Sequence, residues 1–164
     1  MLSKVNKILY ASDIEKGSRP ALRAAVNLCG RYQSEITYLH VIEPISSAIK
    51  SRINDLIEEA DLDELYNQSL VNLKHKLEKR VDDFLKSEMQ ESDVLKMTKI
   101  KTRIEEGVVW KTIVNVANEM DVDLIIMGTR TSSSTEQFFT GSTANKVMLN
   151  SKRPLLIIPL TDKE

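Results

Sequence analysis

Asp123-Leu124-Ile125-Ile126-Met127-Gly128 is the most informative stretch of this chain of 164 residues. Its central residues form an uninterrupted apolar run, which is typical of a strand buried on both faces in the middle of a parallel sheet. Apolar residues recur at helical spacing over residues 108–120, just before the run, and a further helix is predicted after Gly141-Ser142. Because helices flank the strand on both sides, we expect parallel strands connected by helices.

Alternating strands and helices are predicted in the rest of the chain. Short apolar runs predict strands at residues 5–11 and 154–159, and a run rich in β-branched and aromatic residues predicts one at 36–42. Alternating apolar and charged residues predict a half-exposed edge strand at 97–104. Helical spacing extends from Ser18 to about Gly30 and over residues 62–85, whereas residues 45–61 are polar and are predicted to be irregular. Five strands alternating with four helices predict a doubly wound α/β sheet with helices on both faces, in a single domain of residues 1–164.

Composition and charge limit the classes of function. The chain is 41% hydrophobic and 29% charged, as expected for an ordered globular protein. The net charge of −1 gives no field that would attract nucleic acid or an anionic membrane. A single cysteine, Cys29, excludes an internal disulfide and fits a reducing compartment. The sequence shows neither a signal-peptide pattern nor a membrane-spanning run, so we expect a cytoplasmic protein without nucleic-acid or membrane partners.

Two glycines point to a candidate phosphate-binding segment, residues 128–147. Ligands of open parallel sheets bind beyond the carboxyl ends of the strands, and Gly128 and Gly141 bracket the exit of the fourth strand and the start of the next helix. Free N–H groups at such a helix start, together with the Ser142 and Thr143 hydroxyls, suit phosphate oxygens. The alternative interpretation is that Gly128 is a turn residue and that Gly141 merely precedes a helix capped by Ser142.

The spacing in this segment resembles the pattern of the universal stress protein family. That pattern is Gly, two residues, Gly, nine residues, Gly and then Ser or Thr; here Gly128-Thr129-Arg130-Thr131 is followed after nine residues by Gly141-Ser142. The resemblance covers nearly the whole chain. It extends over residues 7–13, 21–31, 39–44, 123–128 and 153–158.

The resemblance implies both a fold and a ligand. The sheet order would be 3-2-1-4-5, and ATP-binding members of the family hold the nucleotide at the switch point between strands one and four. The implied ligand is therefore ATP or AMP, with Mg²⁺. The residues assigned in this way are Asp13 and Val41 at the adenine, Met127 and Gly128 at the ribose, and Gly141, Ser142 and Thr143 at the phosphates.

Three residues carry alternative interpretations. Thr131 stands where the family pattern has its middle glycine, and a threonine in a left-handed conformation costs about 1–3 kcal/mol, so weakened nucleotide binding is expected. Arg130 would offset part of that loss through a charged hydrogen bond to phosphate, or it extends along the surface. Asp13 would contact the ligand, or it is a turn residue that ends the first strand.

The leading functional hypothesis is a universal stress protein that serves as an adenine-nucleotide-binding switch or reservoir in the stress response. It would form a homodimer through strand 154–159 and meet unidentified protein partners. The alternative, favoured by Thr131, is a nucleotide-free dimeric interaction or signalling module of the same fold. Slow ATP hydrolysis is a third hypothesis, although the sequence offers no evident general base and no catalytic residue is predicted. His40 and His75 have no companions at metal-ligand spacing, so no metal site is predicted.

Overall fold

The computed structural model describes residues 4–13, 19–32, 34–54, 59–88, 100–130 and 141–160. Five strands in these ranges form one sheet, and every neighbouring pair is parallel. The strands are β1 (Lys7–Ala11), β2 (Glu35–Ile42), β3 (Ile100–Glu106), β4 (Leu124–Arg130) and β5 (Leu155–Leu160). Their order, β3-β2-β1-β4-β5, confirms the α/β topology that the resemblance implied.

Helices cover both faces of the sheet and create two cores. The helices in the described ranges are α1 (Arg19–Tyr32), α2 (Ser47–Asn54), α3 (Glu59–Glu88), α4 (Val109–Glu119) and α5 (Ser142–Asn150). Apolar side chains of α1 and α3 pack on one face, where the fully buried rings of Tyr10 and Tyr38 lie 4.7 Å apart between centroids. Those of α4 and α5 pack on the other face, against β1, β2 and β4. The alternating strand side chains thus supply both cores.

The prediction that residues 45–61 are irregular, and with it the count of four helices, was wrong. Within that stretch lies α2, and α3 begins at Glu59 rather than near Leu62. The hydroxyl of Ser46 accepts a hydrogen bond from the Ile49 N–H at 3.4 Å, which is the interaction of a helix N-cap. A capping serine followed by Ile49 and Ile53 at helical spacing was therefore a usable signal in the sequence.

Several predicted boundaries also shift. The third strand continues through Glu105 and Glu106, which had been expected to end it, because both residues still pair with Val41 and Ile42 of β2. Their carboxylates find partners as well, Glu105 in the Arg103 guanidinium at 2.6 Å and Glu106 in the Tyr66 hydroxyl. The fourth strand continues past Gly128 to Arg130. The predicted cap Ser18 and the predicted strand residues 97–99 lie outside the described residues.

A network at the amino ends of the strands fixes β4 beside β1. The Asp123 carboxylate, just before β4, accepts hydrogen bonds from the N–H groups of Asn6 (2.7 Å) and Lys7 (2.9 Å). These backbone bonds lower the pKa of Asp123 below its ordinary value, since they favour the charged form. The Lys7 ammonium donates to the carbonyl of Met120 at 3.0 Å, which ties in the end of α4. This network leaves the opposite end of the sheet, formed by the carboxyl ends of the strands, open for a binding site.

None of the helices in the described ranges is both long enough and apolar enough to cross a membrane.

Candidate functional site

A cavity of about 460 Å³ lies at the carboxyl ends of β1, β2 and β4, beside the start of α5. Ala11, at the end of β1, is in register with Leu39 of β2 and Met127 of β4, so the residues that follow these strands meet at one edge. The chain leaves β1 towards β2 on one side and returns to β4 on the other. The cavity therefore sits at the switch point of the sheet, where ligands of such folds bind.

The cavity brings together most of the residues that the sequence singled out. The predicted residues that line it are Asp13, Val41, Met127, Gly128, Gly141, Ser142 and Thr143. Arg130 is the last residue of β4, where its backbone is in register with Leu160, and its side chain is outside the described part of the structure. Thr131 also lies outside the described residues, so the expected penalty of its side chain stays a prediction.

The start of α5 forms one wall, and its first amides have no acceptor within the helix. Gly141 is the N-cap residue, with φ −48° and ψ 151°, and its carbonyl accepts the N–H of Asn145 at 3.0 Å. The Gly141 N–H donates to the Thr129 hydroxyl oxygen at 2.8 Å. The N–H groups of Ser142, Thr143 and Ala144 belong to the first turn, where a helix offers no internal acceptor. Anion binding at this wall would therefore use these three amides rather than that of Gly141.

Gly128 lies inside a strand rather than at its exit, and its predicted place at the ribose stays a prediction. It lies within β4, in register with Ile158, and so it is neither at a strand exit nor in a turn. A Cβ atom at this position would lie 2.5 Å from Cδ1 of Leu160, which is far closer than real Cβ atoms approach. The absence of a side chain at Gly128 is thus explained by the packing of β4 against Leu160.

The opposite wall is built from the segment after β1. Ser12 donates its N–H to the carbonyl of Leu39 at 3.1 Å, and its hydroxyl donates to the carbonyl of Asp13 at 2.8 Å. His40 holds the same segment, because its Nδ1 lies 3.1 Å from the Ser12 carbonyl. Tyr38 donates its hydroxyl to the Asp13 carbonyl at 3.3 Å. These bonds fix the position of Asp13 at the cavity edge.

Apolar side chains line the space between the two walls. They are Leu39 and Val41 of β2, Val109 and Ile113 of α4, and Met127 of β4. Such surfaces suit a planar heterocycle, and the polar groups around them would orient it. Glu43 and Asp13 are the carboxylates of the lining, and no group of three or more His, Cys, Asp or Glu in the described residues is arranged to hold a metal.

His40 and Thr129 are among the lining residues that sequence reasoning did not assign to the site. His40 was considered only as a metal ligand, and its place at the end of β2 is what brings it to the cavity. Thr129 was treated as a spacer in the glycine pattern. The period of two along a strand gives it the same face as Ile125 and Met127, which is the face that α4 and α5 cover. Recognising that β4 extends past Gly128 would have revealed this position.

Comparison with known proteins gives a consistent result. The model of the universal stress protein family matches residues 4–159. Universal stress protein YxiE of Bacillus subtilis is 30% identical over 158 residues, which cover 93% of this chain and 98% of that protein. Universal stress protein MJ0577 of Methanocaldococcus jannaschii is 26% identical over 152 residues, covering 93% of each chain.

Solved structures of universal stress proteins have the same fold as this chain. The structure of MJ0577 superimposes with a TM-score of 0.67 at 24% identity, covering 98% of this chain and 100% of that chain. A universal stress protein solved in complex with cAMP gives a TM-score of 0.56 at 16% identity, covering 97% of this chain and 100% of that chain. The family model spans nearly all of the sequence, and the chain therefore belongs to the universal stress protein family.

Proposed function

We propose that the cavity binds an adenine nucleotide, ATP or AMP, and that its occupancy makes the protein a switch or reservoir in the stress response. The observation that carries this proposal is the combination, in one cavity, of an apolar cleft between β2, α4 and β4 with the open first turn of α5. A base fits the first feature and a phosphate fits the second. A related fold has been solved with cAMP, which is also an adenine nucleotide.

The proposed pose follows the positions of the lining residues. The adenine lies against Val41, with Asp13 at its polar edge, and the ribose lies at Met127 and Gly128. The phosphates face the amides of the first turn of α5 and the hydroxyls of Ser142 and Thr143. Mg²⁺ would arrive with the phosphates of ATP, because this ion is usually held by phosphate oxygens and water with few protein ligands.

Calorimetric titration with ATP and AMP, with and without Mg²⁺, tests the proposal. We expect Ser142→Asp to lower AMP affinity about tenfold or more, because its carboxylate repels phosphate at close range. The same change favours the helix, since an acidic residue near a helix N-terminus is stabilising by about 0.3–1 kcal/mol.

Asn145→Asp provides the matched control. It adds the same charge at an exposed position of α5 that is not part of the described cavity lining. AMP affinity should be nearly unchanged in this variant. Absence of binding by the unmodified protein at millimolar nucleotide would refute the proposed function.

We further propose that two copies associate through strand 154–159. In the described sheet β5 pairs with β4 alone, so one side of it is an edge, and its residues Leu155 to Ile158 remain partly exposed. Pro154 and Pro159 limit the pairing that such an edge permits.

Sedimentation should show a dimer that Ile157→Pro converts to a folded monomer, with folding checked by circular dichroism. A folded Ile157→Pro dimer would contradict this interface.

The nucleotide-free interaction module remains the competing function. It predicts that partner binding does not change with nucleotide. Co-purification of partners with and without ATP distinguishes the two functions. A switch requires that the set of bound partner proteins changes when nucleotide occupies the cavity.

A further inference from the structure

Thr129 is buried, lines the cavity and, among the described residues, has no acceptor for its hydroxyl hydrogen. It lies in β4 with 7% of its surface exposed, and it lines the cavity. Its oxygen accepts the Gly141 N–H at 2.8 Å, and in the part of the chain that the structure describes the hydroxyl makes no other hydrogen bond. A threonine hydroxyl carries one hydrogen to donate in addition to its lone pairs. That hydrogen is therefore available to a group inside the cavity.

The surroundings of Thr129 favour an anionic acceptor. The bond to Gly141 places the hydroxyl against the N-cap of α5, next to the amides of Ser142, Thr143 and Ala144. Those amides and the positive end of the helix dipole attract an oxyanion to the same place. The Thr129 oxygen already accepts the Gly141 N–H, and an oxygen of the ligand would accept the remaining hydrogen of this hydroxyl.

We propose that Thr129 is a phosphate-binding residue, whose oxygen holds the start of α5 through Gly141 while its hydroxyl hydrogen is donated to a phosphate oxygen of the ligand. This inference rests on the proposed nucleotide site and adds to it a residue outside the glycine pattern. The chain of donors runs from the Gly141 N–H to the Thr129 hydroxyl and on to the phosphate. Thr129 thus holds the start of α5 and binds the phosphate with the same hydroxyl group.

The experiment compares adenosine with AMP, because the two ligands differ by the phosphate alone. Calorimetry is performed on the unmodified chain, on Thr129→Val, which replaces the hydroxyl by a methyl group of similar size, and on Thr129→Ser, which keeps it. Thr37→Val is the matched control. Thr37 is a buried threonine of β2, 4% exposed, and it is not among the described residues that line the cavity.

We expect Thr129→Val to lower AMP affinity roughly 10- to 100-fold, the usual effect of removing a hydrogen bond to a charged group, while adenosine affinity changes less than about threefold. Thr129→Ser and Thr37→Val should keep the AMP-to-adenosine affinity ratio of the unmodified chain. In the ligand-free Thr129→Val protein, backbone amide shifts should change near residues 129 and 141 while α5 keeps its helical shifts.

Other outcomes overturn the inference in distinguishable ways. Equal losses for adenosine and AMP, or an unchanged AMP affinity, would show that the hydroxyl does not contact phosphate. Loss of helical shifts across α5 would assign the effect to a displaced helix. A Thr129→Ser variant that behaves like Thr129→Val would assign it to the methyl group. If the unmodified chain binds neither ligand, the proposed nucleotide site itself is refuted, and this inference with it.

Discussion

Gly128 shows that a glycine in a binding motif can be required by packing. Its missing side chain makes room for Leu160, a buried residue at the end of β5. The strand that carries Gly128 therefore reaches the cavity at the correct distance from its neighbour. Gly128 also lines the cavity, so its predicted contact with the ribose stays a prediction beside this packing role.

Gly128→Ala should lower the free energy of unfolding by about 1–3 kcal/mol, because the added methyl group overpacks the contact with Leu160. Urea denaturation measures the effect. In a Leu160→Ala background, which frees the space, the same substitution should cost less, and the coupling between the two changes should be about 0.5–3 kcal/mol. Equal costs in the two backgrounds would contradict the packing explanation.

Asp123 provides a pH-dependent contribution to stability at the amino ends of the strands. Its pKa in the folded protein is lowered by the Lys7 and Asn6 N–H groups. A carboxyl group with a lowered folded pKa stabilises the protein above its unfolded pKa of about 3.9, and this contribution is lost as the pH falls through the folded pKa.

Asp123→Asn should therefore reduce the free energy of unfolding by roughly 1–2 kcal/mol at pH 7, since the bonds to the two N–H groups are no longer charge-assisted. The difference should stay constant between about pH 7 and pH 5 and narrow below about pH 4. Asp63→Asn, at an exposed position of α3, is the control and should change little. A difference that widens in acid would contradict this role of Asp123.

The long helix α3 divides into two parts with different roles. Its carboxyl-terminal part is anchored by Leu77, Val81 and Phe84, all buried in the core that α1 and α3 share on one face of the sheet. Its amino-terminal part is largely exposed and is joined to β3 by the hydrogen bond from Tyr66 to Glu106. Stability should therefore fall along this helix towards Glu59.

Substitutions along α3 test this division. Leu77→Ala should cost about 2–5 kcal/mol, because it empties a fully buried position, whereas Leu65→Ala, at a position 58% exposed, should stay within about 0.5 kcal/mol. Amide hydrogen exchange should be faster at residues 61–70 than at residues 77–84. Comparable protection of the two parts would show that the amino-terminal part has a packing partner.

Across the whole molecule, the predictions that succeeded are those of the buried strands and of their order in the sheet. Uninterrupted apolar runs such as Leu124 to Met127 identify strands because burial on both faces demands apolar residues, and the family pattern supplied the sheet order. Short α2 was missed, since its few turns are set by a single serine cap and two isoleucines. Local capping and tertiary packing decide such elements more than composition does.

The sequence predicted where the site lies better than it predicted what each residue of the site does. The glycine spacing located the start of α5, and seven of the predicted residues meet at one cavity: Asp13, Val41, Met127, Gly128, Gly141, Ser142 and Thr143. The roles of Thr129 and His40 depend on contacts between distant segments, 129 with 141 and 40 with 12, which no local pattern encodes. The packing of Gly128 on Leu160 is of the same kind.

The central claim is that the cavity at the ends of β1, β2 and β4 binds adenine nucleotide with its phosphates at the start of α5. Backbone amide NMR during titration with AMP tests it most directly. We expect the largest shifts at Ser142, Thr143 and Ala144, with smaller ones at Val41 and Met127 and none at Lys7 or Asp123, at the opposite end of the sheet. If saturating AMP leaves the amide signals of these three α5 residues unchanged, or shifts those of Lys7 and Asp123 instead, AMP does not bind in this cavity.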